Sequence, residues 1–120
     1  MKSREKSKKP GQADFGRFAE ALMTLENVTE CRRFLSDLCT PAELEAMVDR
    51  WRAVELLKSG KTYREIAEKT GMSVTTVGRV ARCIEFGNDG YETAWQRLAN
   101  QSSSARQKKS KRNQVAAKRK

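Results

Sequence analysis

Histidine is absent from this chain and aromatic residues are few, and both shortages limit the functions it can have. Of its 120 residues 7% are aromatic, and it has only two prolines and three cysteines. Histidine is the commonest general base and a usual zinc ligand, so its absence argues against acid–base catalysis and against a structural zinc site. Paired carboxylates and a Gly-rich phosphate loop are also missing. We therefore expect a protein that is not an enzyme and that holds no metal or cofactor.

Cysteines and hydrophobic runs are equally sparse. Cys31, Cys39 and Cys83 form no CxxC pair, and an odd number argues against a disulfide framework. We interpret them as small buried hydrophobic residues or as reduced thiols. No more than three apolar residues adjoin anywhere, which predicts neither a transmembrane helix nor a secretory signal. The expected location is the cytoplasm, in association with the nucleoid and without a membrane partner.

Positive charge is concentrated at the two ends of the sequence. The net charge is +10, yet residues 13–100 hold twelve basic and fourteen acidic residues and carry −2. Residues 1–12 hold five basic residues and one acid, and residues 101–120 hold eight basic residues and no acid. These polar ends bury too little apolar surface to offset the entropy of ordering. We predict a disordered basic head, a helical domain at 13–100 and a disordered basic tail; the tail favours nucleic acid, whereas the head is equally consistent with a solubilising role.

The segment YREIAEKTGMSVTTVGRVAR at 63–82 has the pattern of a helix-turn-helix. The small side chain of Ala67 allows a second helix to cross closely, and Gly71 stands where the chain must turn with a positive φ. The second helix repeats apolar residues at spacings of three and four, which predicts one buried stripe. That stripe consists of Val77, Val80, Ala81 and Ile84.

The predicted helix starts agree with this placement. Thr62 and Glu65 are spaced as a capping box for the first helix, and Ser73 can cap the second. The whole unit then spans 62–86 and predicts DNA binding, although a helical hairpin without this function can show the same short pattern.

The opposite face of the second helix carries groups that suit DNA. Methyl groups, hydroxyls and guanidinium groups read base edges and bind phosphates. Between residues 58 and 82 six basic residues oppose only two acidic ones, which predicts a local positive surface. The residues predicted to bind DNA are Lys61, Arg64, Lys69, Ser73, Val74, Thr75, Thr76, Gly78, Arg79 and Arg82.

Four further helices are predicted around this unit, which makes the chain all-α with six helices. Two apolar stripes predict helices at 14–26 and 29–38. Thr40-Pro41-Ala42-Glu43 combines an N-cap, a first-turn proline and a capping-box glutamate, so a long central helix begins there and ends at Gly60. A turn at 87–90 precedes a last short helix. The predicted buried stripes are Phe15, Phe18, Ala19, Leu22 and Leu25; Phe34, Leu35 and Leu38; Leu44, Met47, Val48, Trp51, Val54 and Leu57; and Tyr91, Ala94, Trp95 and Leu98.

With these motifs in place, the sequence resembles the Trp repressor superfamily, in particular its YerC/YecD-type branch. The resemblance covers roughly 14–98 and is most specific from Thr40-Pro41 to Gly60 and through the helix-turn-helix. It implies an intertwined homodimer that places both helix-turn-helix units on DNA half-sites about one turn apart. It also implies that Arg64 and the start of the second helix enter the major groove.

The resemblance further implies a candidate effector site. Thr40, Arg50, Arg79 and Cys83 stand at positions that match the tryptophan-binding residues of the family. Val80 replaces a small glycine and Cys83 replaces a serine, so a flat indole loses room and a hydrogen-bonding group. Free tryptophan is therefore not expected as a corepressor. Whether another small-molecule effector exists is left open, and the two arginines are also expected to pair with Asp49, Glu45 or phosphate.

Three functional hypotheses follow. The leading one is a homodimeric transcriptional regulator, a repressor, that binds double-stranded DNA sequence-specifically. The second is an architectural or nucleoid-associated protein in which the basic ends dominate and specificity is small. The third is a helical adaptor that binds another protein, which predicts no salt-sensitive DNA binding.

Overall fold

Six helices make up the part of the chain that the structure, a computed structural model, describes, which is residues 8–103. No strand occurs within those residues. The predicted all-α class and the position of the helix-turn-helix as the fourth and fifth helices are confirmed. The helices are α1 (Gln12–Met23), α2 (Val28–Leu38), α3 (Pro41–Lys58), α4 (Tyr63–Thr70), α5 (Val74–Phe86) and α6, which covers 90–103.

The helical region extends beyond both predicted domain boundaries. α1 already begins at Gln12, because the N–H of its N-cap Gly11 donates to the Asp14 carboxylate at 3.1 Å. α6 continues through 103, three residues into the predicted tail. Polar residues extend an existing helix at little cost, since elongation is far easier than nucleation. Residues 8–11 of the predicted head are exposed and not helical, and residues 1–7 and 104–120 lie outside the described residues.

Two compact units divide the described chain, one up to Glu45 and the other from Ala46 onward. In the first unit, α1 and α2 meet through the rings of Phe18 and Phe34, whose centroids lie 6.5 Å apart. No residue of either helix is buried, and Phe15 remains 66% exposed. Leu38, which the sequence placed on the buried side of α2, is 51% exposed. One copy of the chain thus leaves the apolar stripes of this unit largely uncovered.

A complete capping box starts α3, as predicted. The Thr40 N–H donates to the Glu43 carboxylate at 2.8 Å, and the Glu43 N–H donates to the Thr40 hydroxyl at 3.1 Å. Hydrogen bonds from Thr40 to the Glu43 carboxylate, the one from the backbone N–H first and the one from the side chain second, lower the pKa of Glu43. The other end of α3 is closed by Gly60, whose φ of 84° suits a residue without a Cβ.

The second unit contains the buried core. Three helices supply it: Ala53 and Val54 from α3, Ile66 from α4, and Val77 and Val80 from α5. Of the two residues that the sequence placed on the inner side of α4, Ile66 is fully buried and the smaller Ala67 is half-buried.

The predicted buried face of α3 is only partly formed. Met47 and Val48 remain about half exposed, whereas Val54 is buried. α6 packs on α3 through Trp51 and Tyr91, whose ring centroids lie 6.4 Å apart, and through an ion pair between Lys58 and Glu92.

The three cysteines are free thiols, as the second of the two interpretations expected, and none of them is buried. Cys83 is exposed, while Cys31 and Cys39 are half-buried. In the described part of the chain, no helix combines the length and the apolar character needed to cross a membrane.

Candidate nucleic-acid interface

The turn between α4 and α5 has three residues and is fixed by local hydrogen bonds. Gly71 adopts φ 79° and ψ 0°, the left-handed conformation predicted for it, and its N–H donates to the Ala67 carbonyl at 2.9 Å. The Thr70 hydroxyl donates to the Ile66 carbonyl at 2.7 Å and accepts from the Met72 N–H at 3.1 Å. The sequence interpretation missed Thr70, although threonine hydroxyls readily bond neighbouring backbone groups at turns and helix ends.

Side-chain caps begin both helices. The Thr62 hydroxyl accepts from the Glu65 N–H at 3.2 Å. Within the described chain the Glu65 carboxylate returns no hydrogen bond, so the predicted capping box is a simple cap. The Ser73 hydroxyl accepts from the Thr76 N–H at 3.0 Å and also contacts the Thr76 hydroxyl at 2.9 Å. Ser73 and Thr76 therefore hold the start of α5, whatever else they contact.

α5 has one buried and one open face, as its sequence pattern predicts. Val77 is fully buried and Val80 is 3% exposed, and Ala81 and Ile84 are half-buried beside them. On the other side the helix presents what we call the outer face, consisting of Val74, Thr75, Gly78 and Arg82, which are neighbours at spacings of three and four. Gly78 is half-buried and the others are exposed, with Val74 at 51%. The outer face thus combines the methyl groups of Val74, the hydroxyl of Thr75 and the guanidinium group of Arg82, with space at Gly78 because it has no side chain.

Tyr63, which the sequence interpretation did not select, lies against this outer face. A Cβ built on Gly78 would be 3.7 Å from the Tyr63 ring carbon Cε2. Tyr63 is the first residue of α4 and is 44% exposed. The two residues are fifteen positions apart, so only the crossing of α4 and α5 brings them together, and no sequence spacing could have indicated it.

Five of the six basic residues around the two helices form no ion pair with a described residue and are exposed to solvent. They are Lys61, Arg64, Lys69, Arg79 and Arg82. The sixth predicted member of the positive surface, Lys58, is instead bound by Glu92. Its hydrogen bond is the main reason why the pKa of Glu92 is lowered.

Arg52, which the sequence analysis did not identify, holds the end of α4 from the central helix. Its Nη2 donates to the Lys69 carbonyl at 3.2 Å, and its Nη1 donates to Asp49 at 3.2 Å. The Lys69 carbonyl is one of the last in α4, where carbonyls lack partners within the helix. Because this contact joins residues seventeen apart, it has no local sequence signal.

Within the described chain, the predicted effector residues form no hydrogen bond or ion pair with one another. The Thr40 hydroxyl caps α3, while Arg50, Arg79 and Cys83 are exposed. Asp49, one of the three partners expected for the two arginines beside Glu45 and phosphate, pairs with Arg52 instead. Val80, the residue expected to fill the indole position, belongs to the core.

Several known proteins are similar to this chain in sequence and in fold. The family model described as Trp repressor protein matches residues 13–99. The uncharacterized protein YerC of Bacillus subtilis (strain 168) is 40% identical over 78 residues, which are 65% of this chain and 75% of YerC. A Trp operon repressor homolog of Xylella fastidiosa (strain M23) is 29% identical over 75 residues, 62% of this chain and 82% of its own.

A solved structure agrees with these matches. The crystal structure of a TrpR like protein from Eubacterium eligens ATCC 27750 superposes with a TM-score of 0.67 at 37% identity, covering 74% of this chain and 91% of that one. Sequence, helix order and the open face of α5 thus lead to one result. The chain belongs to the Trp repressor family of DNA-binding regulators, as a YerC-type member.

Proposed function

We propose that this protein is a homodimeric, sequence-specific transcriptional repressor that inserts α5 into the major groove of its operator. The outer face of α5 carries the proposal, because Val74, Thr75 and Arg82 are exposed while Val77 and Val80 opposite them are buried. A helix held in this way can enter a groove without disturbing the core. In helix-turn-helix proteins the second helix reads bases and the first crosses the DNA backbone.

The positive surface supports this orientation. Five exposed basic residues lie on or next to the two helices, and none of them forms an ion pair with an acidic residue of the described chain: Lys61, Arg64, Lys69, Arg79 and Arg82. Residues 13–100 as a whole carry −2, so the positive charge there is local rather than general. Local charge of this kind orients a protein on DNA as well as attracting it.

The uncovered apolar surface of the first unit supports a dimer. Neither α1 nor α2 has a buried residue, and Phe15, Met23 and Val28 are 66%, 84% and 74% exposed. Large contiguous apolar surface on a small domain indicates an interface. A second copy of this chain would cover it, and two copies would present two α5 helices to two half-sites. Light scattering after size-exclusion chromatography should give twice the chain mass; a monomer at micromolar concentration would contradict the dimer.

The test of specific binding is a selection from random duplexes followed by titration. We expect the selected duplex to bind at least ~10³-fold better than random DNA at physiological salt. Thr75 gives the clearest test, because it is exposed and, unlike Thr76, makes no side-chain hydrogen bond within the described chain, so its substitution should not disturb the helix. Thr75→Ala should lower discrimination by about tenfold at one base position while leaving random DNA unaffected. Thr76→Ala should also relax discrimination, but it removes part of the Ser73 cap as well.

A second candidate is an architectural DNA-binding protein, which the charge distribution favours. Residues 1–12 and 101–120 carry net charges of +4 and +8, whereas residues 13–100 between them carry −2. Equal affinity for all duplexes with a steep salt dependence would select this function over the first.

Free tryptophan is not proposed as a corepressor. Val80 is 3% exposed within the core and the Thr40 hydroxyl is engaged in a cap, which supports this exclusion. Adding tryptophan at millimolar concentration should leave the operator affinity unchanged, and a clear increase in affinity would contradict the proposal.

A further inference from the structure

Tyr63 stands where α4 meets the outer face of α5, and its ring lies beside Gly78, a residue that has no side chain. The nearest ring carbon, Cε2, is 3.7 Å from the position that a Cβ of Gly78 would occupy. Gly78 lies between Val74 and Arg82 at helical spacing, so the ring is beside the exposed residues of α5 and not beside the core. Tyr63 therefore adjoins the surface that the proposed function assigns to DNA.

The ring position is not required by the core. Tyr63 is 44% exposed, whereas the core residue of α4, Ile66, is fully buried. The Tyr63 hydroxyl makes no hydrogen bond with any described residue, although a phenol can both donate and accept. A large amphipathic side chain held in place by its ring, with a free hydroxyl, is well suited to contact an external acceptor.

DNA backbone phosphate is the acceptor that this position favours. In a helix-turn-helix complex the first helix crosses the phosphate backbone while the second lies in the groove. Tyr63 belongs to the first helix and lies beside the second, which would place it at the edge of the major groove, next to the phosphates of the DNA backbone. Phenol hydroxyls are among the ordinary phosphate ligands of DNA-binding proteins.

We propose that Tyr63 is a DNA-binding residue whose ring lies beside Gly78 and whose hydroxyl donates a hydrogen bond to a backbone phosphate beside α5. The inference rests on the proposed function. It adds an uncharged hydrogen-bond donor to a DNA-binding surface whose other phosphate contacts come from lysine and arginine side chains.

Tyr63→Phe tests the proposal, because it removes the hydroxyl and keeps the ring. A hydrogen bond to a charged group leads us to expect about tenfold weaker binding, equal on the selected and random duplexes. The salt slope should stay unchanged, since a neutral group releases no counterion, whereas Arg64→Gln should reduce it by about 0.9. Tyr91→Phe is the matched control: Tyr91 packs on Trp51, and the loss of its hydroxyl should leave DNA affinity unchanged.

The outcomes separate this inference from the function on which it rests. If the unmodified protein binds no duplex, the proposed function itself is wrong. If it binds and Tyr63→Phe binds equally well, only the role of Tyr63 is overturned. A loss confined to the selected duplex would replace the phosphate contact with a base contact. Duplexes with single methylphosphonate substitutions should identify one phosphate whose neutralisation weakens the unmodified protein but not Tyr63→Phe.

Discussion

Arg52 shows how a single side chain can position a DNA-binding helix. Its guanidinium group donates to the Lys69 carbonyl near the end of α4 and to Asp49 on its own helix. We expect Arg52→Met to lower the free energy of unfolding by about 1 kcal/mol, a modest value because the side chain is 47% exposed. Chemical denaturation measures this change. Arg50→Met, on the same helix but without a described partner, is the control and should change stability by less than about 0.5 kcal/mol.

Gly78 is a second residue whose substitution has a defined expected effect. It lies inside α5, where glycine costs about 0.5–1 kcal/mol relative to alanine. A Cβ there would meet only Tyr63, at an ordinary contact distance of 3.7 Å. Gly78→Ala should therefore raise the free energy of unfolding by about that amount, as measured by urea denaturation. A decrease would mean that the Tyr63 ring cannot adjust to the added methyl group.

The residue scale also shows where sequence patterns stop being informative. Gly71, Ser73 and Thr62 act on neighbours within four positions, so their spacing alone predicted their conformations or caps. Arg52 and Tyr63 act on residues seventeen and fifteen positions away. Such contacts depend on how helices cross, and no local pattern contains that information.

Among the elements, α5 has a sharply defined end. The N–H of Gly87 donates to the Cys83 carbonyl at 2.9 Å, and a Cβ on Gly87 would lie only 2.3 Å from that same oxygen. Because the obstacle is backbone, Gly87→Ala must move the chain. We expect a loss of about 1–3 kcal/mol in thermal or urea unfolding. Gly90→Ala is the matched control, since a Cβ there meets nothing within 4 Å. Equal stability of the two variants would contradict this steric argument.

The start of α3 makes folding stability depend on pH. Hydrogen bonds from Thr40 to the Glu43 carboxylate lower its pKa below the ordinary value of 4.5. The ionised form is therefore favoured in the folded chain, and its contribution is present above pH 4.5 and lost as the pH falls through the lowered folded pKa. Lys58 lowers the pKa of Glu92 in the same direction.

Urea midpoints measured between about pH 3 and pH 7 check this prediction. Glu43→Gln keeps a carbonyl oxygen that can accept the Thr40 N–H but removes the titration, so its stability should fall less on acidification than that of the unmodified protein. Glu20→Gln, an exposed change on α1, should retain the original slope. An unchanged slope in Glu43→Gln would show that this carboxylate does not contribute.

At the scale of the whole molecule, residues 13–100 carry a net charge of −2 and residues 101–120 a net charge of +8. We therefore expect the helical domain to provide sequence specificity and the C-terminal segment to provide general affinity for DNA. All eight basic residues of 101–120 come after 103, so a chain ending at Ser103 keeps the described part of α6 and loses them all. This truncation should weaken selected and random duplexes alike and reduce the salt slope by up to about 7 per chain. Titrations at three salt concentrations measure both effects. A loss restricted to the selected duplex would instead assign base reading to the segment.

Local sequence determined the helices, their caps, the turn at Gly71 and the two faces of α5, because each depends on spacings of a few residues. It also determined the charge distribution, which is a property of composition. Tertiary structure alone decided that Ile66 is the fully buried residue of α4, that Lys58 is bound by Glu92, and that the Tyr63 ring lies beside Gly78. These outcomes depend on the angles and distances at which separate helices pack, which amphipathic periodicity leaves undetermined.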